Sequence, residues 1–368
     1  MNSAIEGTTS RITYAFQWLR TRLFSSWFNA FVTLGILYLG WILVQPLVQW
    51  AFIRAVWSPV NASLCRDAIH HGACWAFVAD KYRFILFGTL PFDQHWRPAL
   101  TITILIGLYA LSAVRFIRGS RLVSVWLTGL VAIGVLMWGG VFGLRYVENE
   151  RWGGLTLTLL LATFGIGFAF PLAILLALGR RSDMPLVRWL AIAYIKLVRG
   201  VPLISVLFMA SVMLPLFLPG GVSIDKLLRA QIAMILFAAA YLAEVVRGGL
   251  QAIPRQQIEA AQALGHCYWQ RMWYVILPQA LRIAIPPLVN TFIGFFKDTS
   301  LVVIIGLFDF LTTIKVSLTE PAWSGFGVEA YSFAAVGYFL FCYPMSRYSR
   351  ALERQAATGR GLGALREN

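Results

Sequence analysis

Long apolar runs separated by short polar intervals dominate this chain. Eight runs reach the length of about 20 apolar residues that a bilayer crossing requires. They cover about 29–50, 98–117, 122–144, 154–178, 188–217, 228–247, 281–312 and 329–346. A polar interval of about 58–97 follows the first run, and another polar segment, 250–280, separates the sixth from the seventh. Residues 10–28 alternate as an amphipathic helix that either lies on the membrane surface or extends into the cytosol. The first apolar run is long and lacks a small-residue cleavage site, so it reads as a span rather than a leader peptide. The pattern predicts an all-α polytopic membrane protein. Its parts are an N-terminal arm (1–28), three spans with an outer loop (29–145), a five-span core (146–350) and a basic tail (351–368).

Composition supports the reading. The chain of 368 residues is 59% hydrophobic and only 13% charged, against about 25% charge in soluble domains. A net charge of +15 could point to nucleic acid, but membrane proteins also collect Lys and Arg in cytoplasmic loops. Eight crossings place both termini on one side, with the 115–121 turn and the segments 179–199 and 247–282. That side holds 20 of the 31 Lys and Arg residues. The termini are therefore expected in the cytoplasm, the tail arginines against lipid headgroups, and no nucleic-acid partner is needed.

Cys65 and Cys74 fall in the outer loop, where an oxidising compartment permits a disulfide; two separate thiols are the alternative. Cys267 and Cys342 lie toward the cytoplasm. The four histidines show no metal-ligand spacing, and no catalytic triad or acid pair stands out. There is no G-x-x-x-x-G-K-[ST] loop to cradle a nucleotide. A process driven by ATP would need another subunit to hydrolyse it, and this chain is expected to bind no cofactor itself.

Segment 250–280 is helical but polar. Ile253, Ile258, Ala261 and Leu264 form a weak apolar stripe, Pro254 suits a helix start and Gly265 a helix end. Taken alone, this is an ordinary interfacial helix between two spans. Its spacing adds more: Glu259-Ala260-Ala261, then Gly265, then Val275-Ile276-Leu277-Pro278 resembles the cytoplasmic signature of permease subunits of bacterial ATP-binding-cassette importers, with Val275 where Ile is usual. Arg199-Gly200-Val201-Pro202-Leu203, Ala243 to Gly249, Lys297-Asp298-Thr299-Ser300-Leu301 and Arg347-Tyr348-Ser349-Arg350 are similar to the polar amino-acid branch over residues 146–355. The additional N-terminal spans look most like the longer M-type subunit of general L-amino-acid importers.

The resemblance implies a type I importer core in a bacterial inner membrane. Glu259, Ala260, Ala261, Gly265, Leu277 and Pro278 would form a coupling helix seated on an ATPase. The implied partners are a second permease subunit, two cytoplasmic ATPase subunits carrying ATP and Mg, and an extracytoplasmic solute-binding protein delivering an amino acid.

The polar tetrad Lys297-Asp298-Thr299-Ser300 also has a reading of its own. Charged groups at membrane depth are costly and mark pathways or structural pairs. Pro286-Pro287 should bend the start of the 281–312 run and the tetrad should break its middle, as in discontinuous spans that bind substrate. With Asn290, these four residues are the pathway candidates, unless Lys297 and Asp298 merely neutralise one another. Glu244 and Arg247, three apart, are expected to pair, and Arg199 to reach the cytoplasmic interface. The rival readings are an ion-coupled amino-acid carrier using the Lys297–Asp298 region, a membrane enzyme and a scaffold.

Overall fold

The computed structural model describes residues 17–18, 20–57, 65–66, 72–114, 119–217, 219 and 224–364, leaving aside the side chains of 114 and 355–364. Residues 10–16 and 19 of the expected surface helix at 10–28, and Arg115 and Arg118 of the basic turn, lie outside the described residues. Among those described, the chain is helical, with only isolated bridges in extended conformation. It divides into two compact units, residues 1–79 and 80–368.

The first unit holds α1 (Trp27–Val48), capped by the Ser26 hydroxyl, which accepts from Asn29 N–H at 3.2 Å. The helix widens into a π-helical turn, Gln49–Ile53. Cys65 and Cys74 are joined as a disulfide, with Cα atoms 5.7 Å apart. The strand-like pairing of Val56 with Cys74 and the Trp75 indole donating to Ala51 O at 2.7 Å tie this loop to the end of α1.

The second unit is built around α5 (Gly154–Arg180) and α8 (Lys226–Gln251). Alanines at 230, 233, 238, 239, 240 and 243 of α8 are buried. Small residues are what allow helices to approach closely where lipid supplies no hydrophobic drive. Helix α10 (Leu277–Asp298) crosses α8 in backbone contact, since a Cβ on Gly249 would lie 2.4 Å from Ala280 O. Outside this core stand α3 (Trp96–Val114) and α4 (Ser120–Trp138). Arg97, 1% exposed, donates to the carbonyls of Leu136 and Met137 and so caps the end of α4. A cation there complements the helix dipole.

Several expected elements differ. Among the described residues six helices have the length and apolarity to cross a membrane, or seven if a bent pair counts as one, and the count of eight is not reproduced on that measure. The bent pair is the expected 188–217 span. Amphipathic α6 (Pro185–Arg199) turns by 101° at Gly200-Val201-Pro202 into α7 (Leu203–Phe208), which continues to Leu216. Pro202 disfavours helix at Val201, so the motif interrupts the run. The seventh crossing starts earlier than 281, in an apolar helical stretch from Tyr268 to Ile305. Pro286 and Pro287 sit inside α10 without ending it. The tetrad does mark the interruption expected in the middle of the 281–312 run: α10 ends at Asp298 and gives way to the 3₁₀ turn Thr299–Ile305, and a separate helix, α11 (Phe310–Ser317), follows. The interval expected as a polar loop at 58–97 contains α2 (Ala76–Phe87). Between α8 and α10 lies α9 (Arg255–Ala263), and the last element, α12 (Gly327–Ala364), runs through Pro344 well beyond the expected end at 346.

Candidate docking helix and membrane pathway

Helix α9 is short and held on both ends by its own chain. Pro254, in extended conformation, occupies the position before the first helical residue rather than the first turn itself. At the other end Gly265 takes φ +77°, and its N–H donates to Gln262 O at 2.9 Å while His266 N–H donates to Ala261 O at 3.2 Å. A left-handed residue closing a helix this way satisfies carbonyls that would otherwise lack donors.

Burial gives the helix two faces. Ile253 and Ala261 are buried and Ile258 is half-buried against the hydrophobic core. Arg255, Gln256, Glu259, Ala260, Gln262 and Ala263 are exposed, and Leu264 is 78% exposed. Thus Glu259 and Ala260 face outward, whereas the small side chain of Ala261 brings α9 close to its own core. Behind it Met272, Ile276 and Leu277 are buried, and Pro278, exposed, opens α10. Both Leu277 and Pro278 belong to the long apolar helical stretch, which carries α9 at its root.

Adjacent to this root, Glu244 gathers three arginines from three helices. Its carboxylate accepts from Arg180 Nη1 and Arg247 Nε, each at 2.8 Å, and pairs with Arg199 Nη1 at 3.4 Å. Arg199 also stands over the Tyr241 ring, 5.3 Å from its centroid. Arg199 is therefore engaged within the protein rather than extended alone to the interface. Arg181 Nη1 donates to Leu250 O at 3.0 Å. Only the Glu244–Arg247 pair could be read from spacing; Arg180 and Arg199 arrive from distant sequence.

The pathway candidates are spread around the end of α10. Asn290 and Lys297 are exposed, Asp298 and Ser300 half-buried, and Thr299 buried with its hydroxyl donating to Phe296 O at 2.8 Å. No ion pair joins Lys297 to Asp298, because consecutive helical residues do not face one another. One turn further, Ile304 joins Ile204, Ser205, Phe208 and Met209 around an opening of about 280 Å³. It is largely apolar, with the Ser205 hydroxyl its one polar side chain. Sequence reading missed these residues of α7; the break at Gly200-Val201-Pro202 was the signal that could have found them.

Comparison with known proteins adds the following. Residues 169–357 match the family model described as the binding-protein-dependent transport system inner membrane component. The inner membrane amino-acid ABC transporter permease protein YhdY of Escherichia coli is 50% identical over 94% of both chains. The glutamate/glutamine/aspartate/asparagine transport system permease protein BztC of Rhodobacter capsulatus is 39% identical over 93% of both. Among solved structures, an amino acid ABC transporter with histidines is 30% identical, covering 55% of this chain and 92% of that one, with a TM-score of 0.49.

Proposed function

Because this chain belongs to the family of inner membrane components of binding-protein-dependent transport systems, we propose that it is the transmembrane subunit of an ATP-driven amino-acid importer. It pairs with a second permease subunit, identical or homologous, in a bacterial inner membrane with both termini in the cytoplasm. Two cytoplasmic ATPase subunits bind and hydrolyse ATP with Mg. An extracytoplasmic binding protein delivers the amino acid. The observation that carries the reading is the division of α9 into a face anchored in the core and a face presenting Glu259, Ala260 and Leu264 outward.

On this reading Glu259, Ala260, Ala261 and Gly265 form the joint with the ATPase, and Leu277 and Pro278 root it in the membrane helix. Closure of the ATPases pushes on α9, and the push travels along the stretch from Tyr268 to Ile305 toward the pathway. Asn290, Lys297, Asp298, Thr299 and Ser300, with the opening beside Ser205, are the parts of that pathway supplied by this chain. An ion-coupled carrier has no use for an outward-facing helix held this way, and its relatives would not be ABC permeases. The test is purification from native membranes followed by reconstitution. An ATPase and a second permease should co-purify, and vesicles loaded with ATP should import amino acid in the presence of the binding protein. Import driven by an ion gradient alone would overturn the proposal.

A further inference from the structure

Residues 80–89, in the same compact unit as the permease core, are held tightly against it. Four kinds of contact converge on residues 80–89. Lys81 Nζ bridges Asp80 at 3.1 Å and Glu320 at 2.7 Å. The Trp323 indole donates to Asp80 Oδ2 at 2.9 Å, and Trp323 is 5% exposed. The Thr156 hydroxyl, in the first turn of α5, donates to Leu86 O at 3.0 Å, and the Thr313 hydroxyl lies 3.5 Å from Ile85 O. Finally, Gly88 and Gly153 cross in backbone contact: a Cβ on Gly88 would stand 2.4 Å from Gly153 Cα. Burial would lower the Lys81 ammonium pKa, but its hydrogen bonds to Glu320 and Asp80 outweigh that and hold it above its ordinary value.

The gripped elements are tied to each other as well. Gly154 N–H donates to Phe308 O at 2.8 Å, and Phe310 N–H donates to the Thr158 hydroxyl at 3.0 Å. Asp309, fully buried, caps α11 through the N–H groups of Leu311 and Thr312, both at 3.1 Å. Residues 80–89, the start of α5, α11 and the turn through Trp323 thus share one network. The 3₁₀ turn Thr299–Ile305 is attached to this network by Gly306, which is exposed, has φ +79° and would meet nothing within 4 Å if given a Cβ. Hinges are commonly built from a few loop or element-terminal residues, often small ones such as this.

We propose that residues 80–89 clamp α11 and its following turn to the start of α5 as one body that does not change internally during transport, and that the tetrad-bearing turn moves against this body at Gly306. The segment is then a working part of the gate: it fixes the anchor so that a push from α9 displaces the pathway side of the hinge. The inference rests on the importer reading, and the experiment separates the two.

The experiment uses the full complex in vesicles. Lys81→Cys and Glu320→Cys are introduced together, with Cys267 and Cys342 replaced by Ser, and joined by a short bismaleimide. ATP-dependent uptake by vesicles holding the unsubstituted complex tests the importer reading, and its absence there would count against that reading alone. With uptake present, the proposal expects efficient crosslinking in resting and ATP-bound complexes alike, and uptake afterwards within about twofold of the untreated vesicles, since a rigid body loses nothing by being tied. Two results overturn it: a crosslink that forms in only one of those states, or uptake that falls about tenfold or more once the link is made.

Discussion

Arg180 and Glu244 lie 64 residues apart in sequence and 2.8 Å apart in space, which places the C-terminal ends of α5 and α8 on a single carboxylate. Arg199 and Arg247 share the same group. Glu244→Gln keeps the shape and removes the charge, leaving three guanidinium groups facing one another. Breaking a buried pair costs about 3–5 kcal/mol and an exposed one less than about 1. With side chains 22–40% exposed here, the expected loss is about 1–3 kcal/mol. A thermal melt of the purified protein reads it, and an unchanged midpoint would remove the hub from the list of structural ties.

The two faces of α9 should separate function from folding. Glu259→Arg alters only the outward face, so ATP-dependent uptake should vanish while membrane insertion and melting temperature stay unchanged. Ala261→Leu overfills the inward face and should cost about 1–3 kcal/mol of stability. Gly265→Asp adds a charge and a left-handed penalty of about 1–2 kcal/mol, and should also stop uptake. If Glu259→Arg vesicles import at the wild-type rate, the coupling role of α9 is wrong.

Lys297 and Asp298 form no direct ion pair, being consecutive in a helix, so their substitutions should not mimic one another. Asp298→Asn and Lys297→Met are each expected to alter uptake, with different dependence on substrate concentration, while the ATPases stay bound. Ser205→Leu should close the opening beside Ile304 and lower uptake. Identical kinetics for both single variants, unchanged from wild type, would return the tetrad to a purely structural role.

At the Gly88–Gly153 crossing there is no room for a methyl group. Gly88→Ala combines overpacking, about 1–3 kcal/mol, with left-handed strain of about 1–2 kcal/mol at φ +69°. The expected result is a marked drop in thermal midpoint. Wild-type stability would mean the two backbones part easily.

The Cys65–Cys74 bond joins residues nine apart, for which the loop-entropy account gives about 2–3 kcal/mol of stabilisation. Thiol labelling of unreduced, denatured protein should count two free thiols, Cys267 and Cys342; four would reject the bond.

The spans and the short helix α9 were readable because each rests on local pattern. Apolar runs marked α1, α5 and α8, while Pro254, Gly265 and the spacing from Glu259 to Pro278 marked α9. Helix α2 was hidden because Asp80, Lys81 and Arg83 make its interval look like a loop, although Lys81 and Asp80 are held by Glu320 and Trp323 more than two hundred residues away. The bend at Val201 was visible as a motif, but a hydrophobic run reads the same whether straight or turned by 101°. Lys297 and Asp298 invited pairing by adjacency alone, and helical geometry denied it. Arg180 and Arg199 could not be matched to Glu244, because an ion pair across three helices leaves no periodic trace.

Helix α12 holds 38 residues in one element, a rod of about 57 Å at 1.5 Å per residue. The hydrocarbon layer is only about 30 Å thick, so almost half of that rod stands clear of it. Turning such a rod about its membrane end by a few degrees displaces its other end about twice as far as its midpoint. A fluorophore near Arg354 would thus magnify tilts of the membrane portion that are too small to detect within the bilayer.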